Sequence, residues 1–90
     1  MVSQKVTVCN KSGLHLRPAA ELSKMASKMT SDITIAAGEK KVNPKSVLLL
    51  MSAEITKGTE IEIFCEGANE EQDLAALIEA IKSGLGEGTD

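Results

Sequence analysis

Glu60-Ile61-Glu62-Ile63-Phe64-Cys65 alternates in a way that admits one reading. It is a strand with Ile61, Ile63 and Cys65 on one face and Glu60, Glu62 and Phe64 on the other. A few residues later the apolar period changes. Leu74, Leu77, Ile78 and Ile81 recur at helical spacing and form one stripe. A strand with a single apolar face, next to a helix with a single apolar stripe, restricts the chain to a layered structure in which one covers the other.

The remaining segments supply the rest of those layers. Gln4 to Cys9 alternates as a strand, and Asn10-Lys11-Ser12-Gly13 is a turn cluster. A helix from about Leu16 to Met29 buries Ala19, Leu22, Ala26 and Met29, and Thr30-Ser31 ends it. Asp32 to Ala37 alternates with Ile33 and Ile35 on one face. Ala37-Gly38-Glu39-Lys40 then turns the chain into a short strand, Lys41 to Asn43. Ser46 is suited to cap a short apolar helix through Met51. Lys57-Gly58-Thr59 is a turn before the Glu60 strand. Asn69 with Gln72 three residues on makes a capping-box pattern for the last helix, and Gly84 suits its C-cap. Leu85 to Asp90 is expected to fray.

The order is β, α, β, β, short α, β, α, and the outward strand residues Lys5, Thr7, Thr34, Glu60 and Glu62 are polar. The expected fold is therefore α+β: an open-faced sandwich whose four-stranded antiparallel sheet is covered on one face by two long helices and one short one. Residues 1–90 make a single domain with one modest core.

Composition removes several functions. The net charge is −3 and Phe64 is the single aromatic residue, so neither a basic patch nor a stacking platform for nucleic acid is available. No apolar run reaches the length of a membrane span, and Met1 to Lys5 lacks a signal-peptide core, which points to the cytoplasm. One histidine and two cysteines make no metal site, and no cofactor is expected. Cys65 reads as a small core residue and Cys9 as incidental. Their strand phases place them on opposite faces, which rules out a disulfide between them.

The chemistry concentrates in Gly13-Leu14-His15-Leu16-Arg17-Pro18-Ala19. Pro18 fits the first turn of a helix, where its missing N–H has no partner to lose. His15 then lies at or just before a helix N-terminus, where free N–H groups and the dipole attract anions. Arg17 adds a guanidinium fork suited to phosphate or carboxylate. An imidazole of ordinary basicity is largely neutral near pH 7, hence nucleophilic without a separate base. The exposed dipole contributes roughly 0.3–1 kcal/mol, enough to orient a phosphoryl group without trapping it. Taken alone, His15 and Arg17 are more often an ordinary surface pair.

With the strand before it and the helix after it, this motif resembles the active site of HPr, the histidine-containing phosphocarrier family of the bacterial sugar phosphotransferase system. The resemblance extends through Asn43, Lys45-Ser46, Met51-Ser52, Lys57-Gly58, Gly67-Ala68 and the Leu74-centred last helix. It implies that enzyme I, charged by phosphoenolpyruvate, phosphorylates His15, and that the group passes on to sugar-specific enzyme IIA domains. Family practice is to use Nδ1. Arg17 would serve phosphate electrostatics and docking, with Ser12, Leu16 and Pro18 close to the phosphate. The protein would be a stoichiometric carrier acting as a monomer, not an enzyme with its own turnover.

Ser46 has two readings. As an N-cap it needs no regulation to explain it. The resemblance to Gram-positive-type members implies phosphorylation by HPr kinase/phosphorylase and a catabolite control regulator as a further partner. Leu16 and Ala20 lie four apart, on a different stripe from Ala19 and Leu22. This spare face, continued by Lys24 and Ser27 and joined by Val47, Leu48 and Met51, is assigned to docking.

Three positions depart from the family pattern. Leu16 is bulkier than the residue often found there, which makes the edge of the site more apolar. Pro44 stiffens the approach to Ser46. Glu54 replaces the usual glycine, so either it bears the cost of a positive φ or the loop is re-formed. Other functional readings are a regulatory module acting mainly through Ser46 and a carrier in a nitrogen-related phosphorelay. Retention of His15 argues against the pure regulator, and the Lys45-Ser46 context favours carbon uptake.

Overall fold

The computed structural model describes residues 1–11 and 13–85. Its elements are β1 (Val2–Thr7), α1 (Leu16–Ser27), β2 (Asp32–Ala37), β3 (Lys40–Val42), α2 (Val47–Ser52), β4 (Glu60–Glu66) and α3 (Glu70–Lys82). The sheet order is β1-β4-β2-β3, with every neighbouring pair antiparallel. This is the open-faced α+β sandwich expected from the alternation.

Register follows from the apolar phase of β4. Val6 pairs with Ile61 and Val2 with Cys65 on one side, while Ile33 pairs with Cys65 and Ile35 with Ile63 on the other. A one-residue slip would turn all of these outward. Phe64 lies between Ser3 and Thr34 on the opposite face, where Ser3 Oγ also donates to Glu62 Oε2 at 3.1 Å. The core forms between the sheet and the helices. Leu22 and Ala26 of α1, Leu50 of α2, and Leu77 and Ile81 of α3 are completely buried there. Each fully buried Leu or Ile contributes about 1.5–3 kcal/mol relative to exposure.

Several local expectations are corrected. α1 ends at Ser27 rather than Met29. Lys28 and Met29 donate to Met25 O and Ala26 O in a tightening last turn, and Met29 is only half-buried. β1 and β3 lie one or two residues earlier than their alternation suggested. Asn69 is the N-cap of α3 but its side chain caps nothing; Nδ2 instead donates to Thr30 Oγ1 at 3.4 Å. The returning contact comes from Glu70, whose Oε1 accepts from Gly67 N at 3.2 Å, so Gln72 is not part of a capping box.

The end of α3 closes more firmly than expected. Ser83 is the C-cap and Gly84 follows with a φ of 90°. Gly84 N donates to Ile81 O and Leu85 N to Ala80 O, the paired bonds of a Schellman motif. Leu85 is thereby buried in the core instead of fraying. Residues 86–90, the rest of the expected tail, lie outside the described residues.

Cys65 is a buried core thiol, as its phase implies. Cys9 is not incidental. β1 ends at Thr7, so strand phase no longer governs Cys9, and its Sγ sits 3.4 Å from both Ile81 O and Lys82 O at the end of α3. Both cysteines are free.

Candidate functional site

The loop before α1 is held by residues distant in sequence. Gly13 has a φ of 62°, and a Cβ there would lie 2.6 Å from Ile55 O and 2.6 Å from Thr56 Cα. Only glycine allows this approach. Gly13 N donates to Asn10 O at 3.1 Å, Leu14 N donates to Ile55 O at 2.9 Å, and Asn10 Nδ2 donates to Gly13 O. Leu14 is buried. The next residue is pushed outward, and that residue is His15.

His15 is the N-cap of α1, with extended backbone at φ −78° and ψ −174°. Its carbonyl accepts from Ala19 N at 2.8 Å and starts the helix. Its side chain caps nothing, no acidic residue occupies the first turn, and the imidazole is exposed. Pro18 in that turn is fully buried and anchors the helix start on the core. Arg17 is exposed, with no hydrogen bond or ion pair among the described residues. Ser12, read as phosphate-proximal, lies outside the described residues.

His15 borders a cleft of about 420 Å³ with Leu14, Met51, Glu54, Ile55 and Thr56. A larger cleft of about 580 Å³, between α1 and α3, contains Lys24, Met25 and Lys28 but not His15. The His15 side chain is thus on an open rim.

α2 sits beside α1 through polar bonds at its entry. Pro44 is fully buried, and Asn43 Oδ1 accepts from Lys45 N at 2.9 Å. Ser23 Oγ in α1 donates to Lys45 O at 3.0 Å, while Lys45 Nζ donates to Met29 O at 3.3 Å and Ser31 O at 3.1 Å. Ser46 caps α2 as expected, its Oγ accepting from Leu49 N at 3.3 Å. The middle of α1 therefore meets the start of α2, and His15 at the start of α1 shares a cleft with Met51 near the end of α2.

The two helices expose the apolar side chains expected of a spare face. Leu16 is 64% exposed, Leu48 80% and Met51 38%. Ala20, Lys24 and Ser27 are exposed on α1, while Ala19 and Leu22 are fully buried. Val47 is half-buried and packs against the core. Leu49, 45% exposed, was missed in the reading of the sequence. In an unbroken run of Val47, Leu48, Leu49, Leu50 and Met51, only tertiary contact reveals that Leu50 is the buried member.

Glu54 realises the first of its two alternatives. It keeps a φ of 56°, one of only two non-glycine residues in that region among the described residues. Glu54 lines the His15 cleft, and Lys40 Nζ stands 3.9 Å from its Oε2.

Among the described residues no group of three or more His, Cys, Asp and Glu side chains is placed to hold a metal ion, and no helix is long and apolar enough to cross a membrane. The fold and site thus define a small α+β protein that offers one accessible histidine at an uncapped helix N-terminus.

The sequence model of the family described as "PTS HPr component phosphorylation site" matches residues 2–83. The chain belongs to this HPr family, the phosphocarriers of the phosphotransferase system. It is 43% identical over 77 residues to the HPr-like protein Crh of Bacillus subtilis, covering 86% of this chain and 91% of that one. It is also 43% identical over 77 residues to phosphocarrier protein HPr of Mycoplasma capricolum, covering 86% of each. The structure of HPr-C-His from Thermoanaerobacter tengcongensis superposes with a TM-score of 0.92 at 39% identity, covering 97% of this chain and 98% of that one.

Proposed function

We propose that this protein accepts a phosphoryl group on His15 from phosphorylated enzyme I and delivers it to sugar-specific enzyme IIA domains. The observation that carries this reading is the exposed His15 imidazole, standing without a partner among the described residues at the uncapped start of α1. A nucleophile on an open rim suits transfer between proteins, because donor and acceptor must each reach the same atom. The free N–H groups of the first turn and the Arg17 guanidinium then hold the phosphoryl oxygens, and exposed Leu16 borders them, while Pro18 supports the turn from within the core. Ser12 is the proposed source of a further hydroxyl for the phosphate. In this reading the carrier acts stoichiometrically, in the cytoplasm, as a monomer.

Leu16, Ala20, Lys24, Ser27, Val47, Leu48 and Met51 form the docking surface, and Leu49 extends it. The exposed leucines support this assignment, since apolar side chains grouped on one helical layer mark partner surfaces.

Ser46 supports a second, regulatory reading. Its hydroxyl lies at the start of the helix that carries Leu48 and Leu49, and one relative is named an HPr-like protein Crh. A phosphate there adds nearly two negative charges beside the apolar face. Docking of enzyme I would weaken, and a catabolite control regulator with a basic face would gain. HPr kinase/phosphorylase is the matching modifying enzyme.

The deciding experiment is phosphotransfer from phosphoenolpyruvate and enzyme I to the purified protein and to His15→Ala. The expected result is one acid-labile phosphoryl group on the parent and none on the variant. Acid-labile labelling of His15→Ala would overturn the assignment.

A further inference from the structure

Glu54 is expensive where it stands. Its φ of 56° lies in the left-handed region that disfavours a Cβ. Strain of this kind collects at functional sites. Among the described residues no hydrogen bond of the carboxylate offsets it, and Lys40 Nζ is a distant partner at 3.9 Å with both side chains well exposed. Lys40 is itself drawn aside by donating to Ser52 O at 3.3 Å. Glu54 nevertheless lines the cleft of about 420 Å³ that His15 borders, together with Met51 and Ile55. The other lining residues, Leu14, Met51, Ile55 and Thr56, carry no charge.

We propose that Glu54 raises the phosphoryl-transfer potential of His15 by bringing a negative charge to the cleft that the phosphorylated imidazole also borders. This rests on His15 being the phosphoryl acceptor. When the group leaves, the P–N bond breaks, its electron pair returns to the imidazole, which takes up a proton, and phosphorus bonds to the acceptor's nucleophile, which gives one up. The departing group carries away close to two negative charges, so transfer relieves repulsion with Glu54. Across a cleft of this size, in a largely aqueous medium at moderate salt, the repulsion shifts the equilibrium by roughly two- to fivefold. Arg17 acts in the opposite sense. The pair thus sets how firmly the carrier holds its cargo.

The test measures the equilibrium constant between phosphorylated enzyme I and this protein, for the parent, Glu54→Gln and Glu54→Gly. The constant concerns free species, so a change in docking alone leaves it untouched. Both variants are expected to favour phospho-His15 by about two- to fivefold at low salt, with the difference shrinking as ionic strength rises. Glu54→Gln keeps the strained backbone and loses only the charge. An unchanged constant for Glu54→Gln, or a shift indifferent to salt, would overturn the role of Glu54 while leaving His15 as the acceptor. A parent protein that takes no label on His15 would remove the underlying reading as well.

Discussion

Gly13 and Gly38 share a φ of 62°, and they separate two costs that glycine normally hides. At Gly38, on the β2–β3 hairpin, an added Cβ meets nothing within 4 Å. At Gly13 it meets backbone atoms of Ile55 and Thr56 at 2.6 Å. Gly38→Ala therefore incurs only the left-handed penalty, about 1–2 kcal/mol. Gly13→Ala incurs the same penalty and also forces the 10–14 loop away from residue 55. That displacement breaks the Leu14 N to Ile55 O bond, about 0.5–1.5 kcal/mol, and loosens the buried Leu14. A total of roughly 2–4 kcal/mol follows, or a fall in Tm of about 10–25 °C for a chain this size. Urea unfolding of both variants, with m-values checked against the parent, supplies the numbers. Phosphotransfer should also slow in Gly13→Ala, because the loop that presents His15 has moved, and stay normal in Gly38→Ala. Equal destabilisation by the two substitutions would refute the reasoning, since it would mean that contact with Ile55 and Thr56 has no consequence.

Three further outcomes follow from individual contacts. Ser46→Ala removes the acceptor for Leu49 N and should cost about 1 kcal/mol in chemical denaturation, with His15 still labelled by enzyme I. Burial first, and then the carboxylates of Asp73 and Glu70, push the Cys65 thiol above its ordinary value of 9.0. The folded chain therefore keeps a proton that the unfolded chain releases. Stability should fall as pH rises through and above 9.0, and Cys65→Ala should flatten that slope in urea titrations. In the folded parent a thiol reagent should modify half-buried Cys9 well before Cys65.

The fold was legible because its main elements carry a clean period. β4 and α3 switch from alternation to a helical stripe within a few residues, and the buried set matches both phases. Ends were harder, since they depend on partners from elsewhere in the chain. The sequence suggests Asn69 and Gln72 for the cap of α3, yet Asn69 turns to Thr30 and Glu70 returns to Gly67. Leu85 looks like part of a tail until Gly84 folds it back onto the core. The candidate site divides in the same way. His15, Arg17 and Pro18 announce themselves in one local motif. The approach of Gly13 to Ile55, and the cleft joining His15 with Glu54, are tertiary and leave no mark on the local pattern.

The strand order has a consequence for the birth of the molecule. β4 is the last strand made, yet it lies between β1 and β2. Until residues 60–66 emerge from the ribosome, neither β1 nor β2 has its central neighbour, and Val2 must wait for Cys65. Pairings so distant in sequence close slowly. The loop before His15 is subject to the same delay, because it is pinned by Ile55 and Thr56. A nascent chain of fifty residues already contains the histidine but has no means of holding it in place, so His15 takes its position only after most of the protein has been translated.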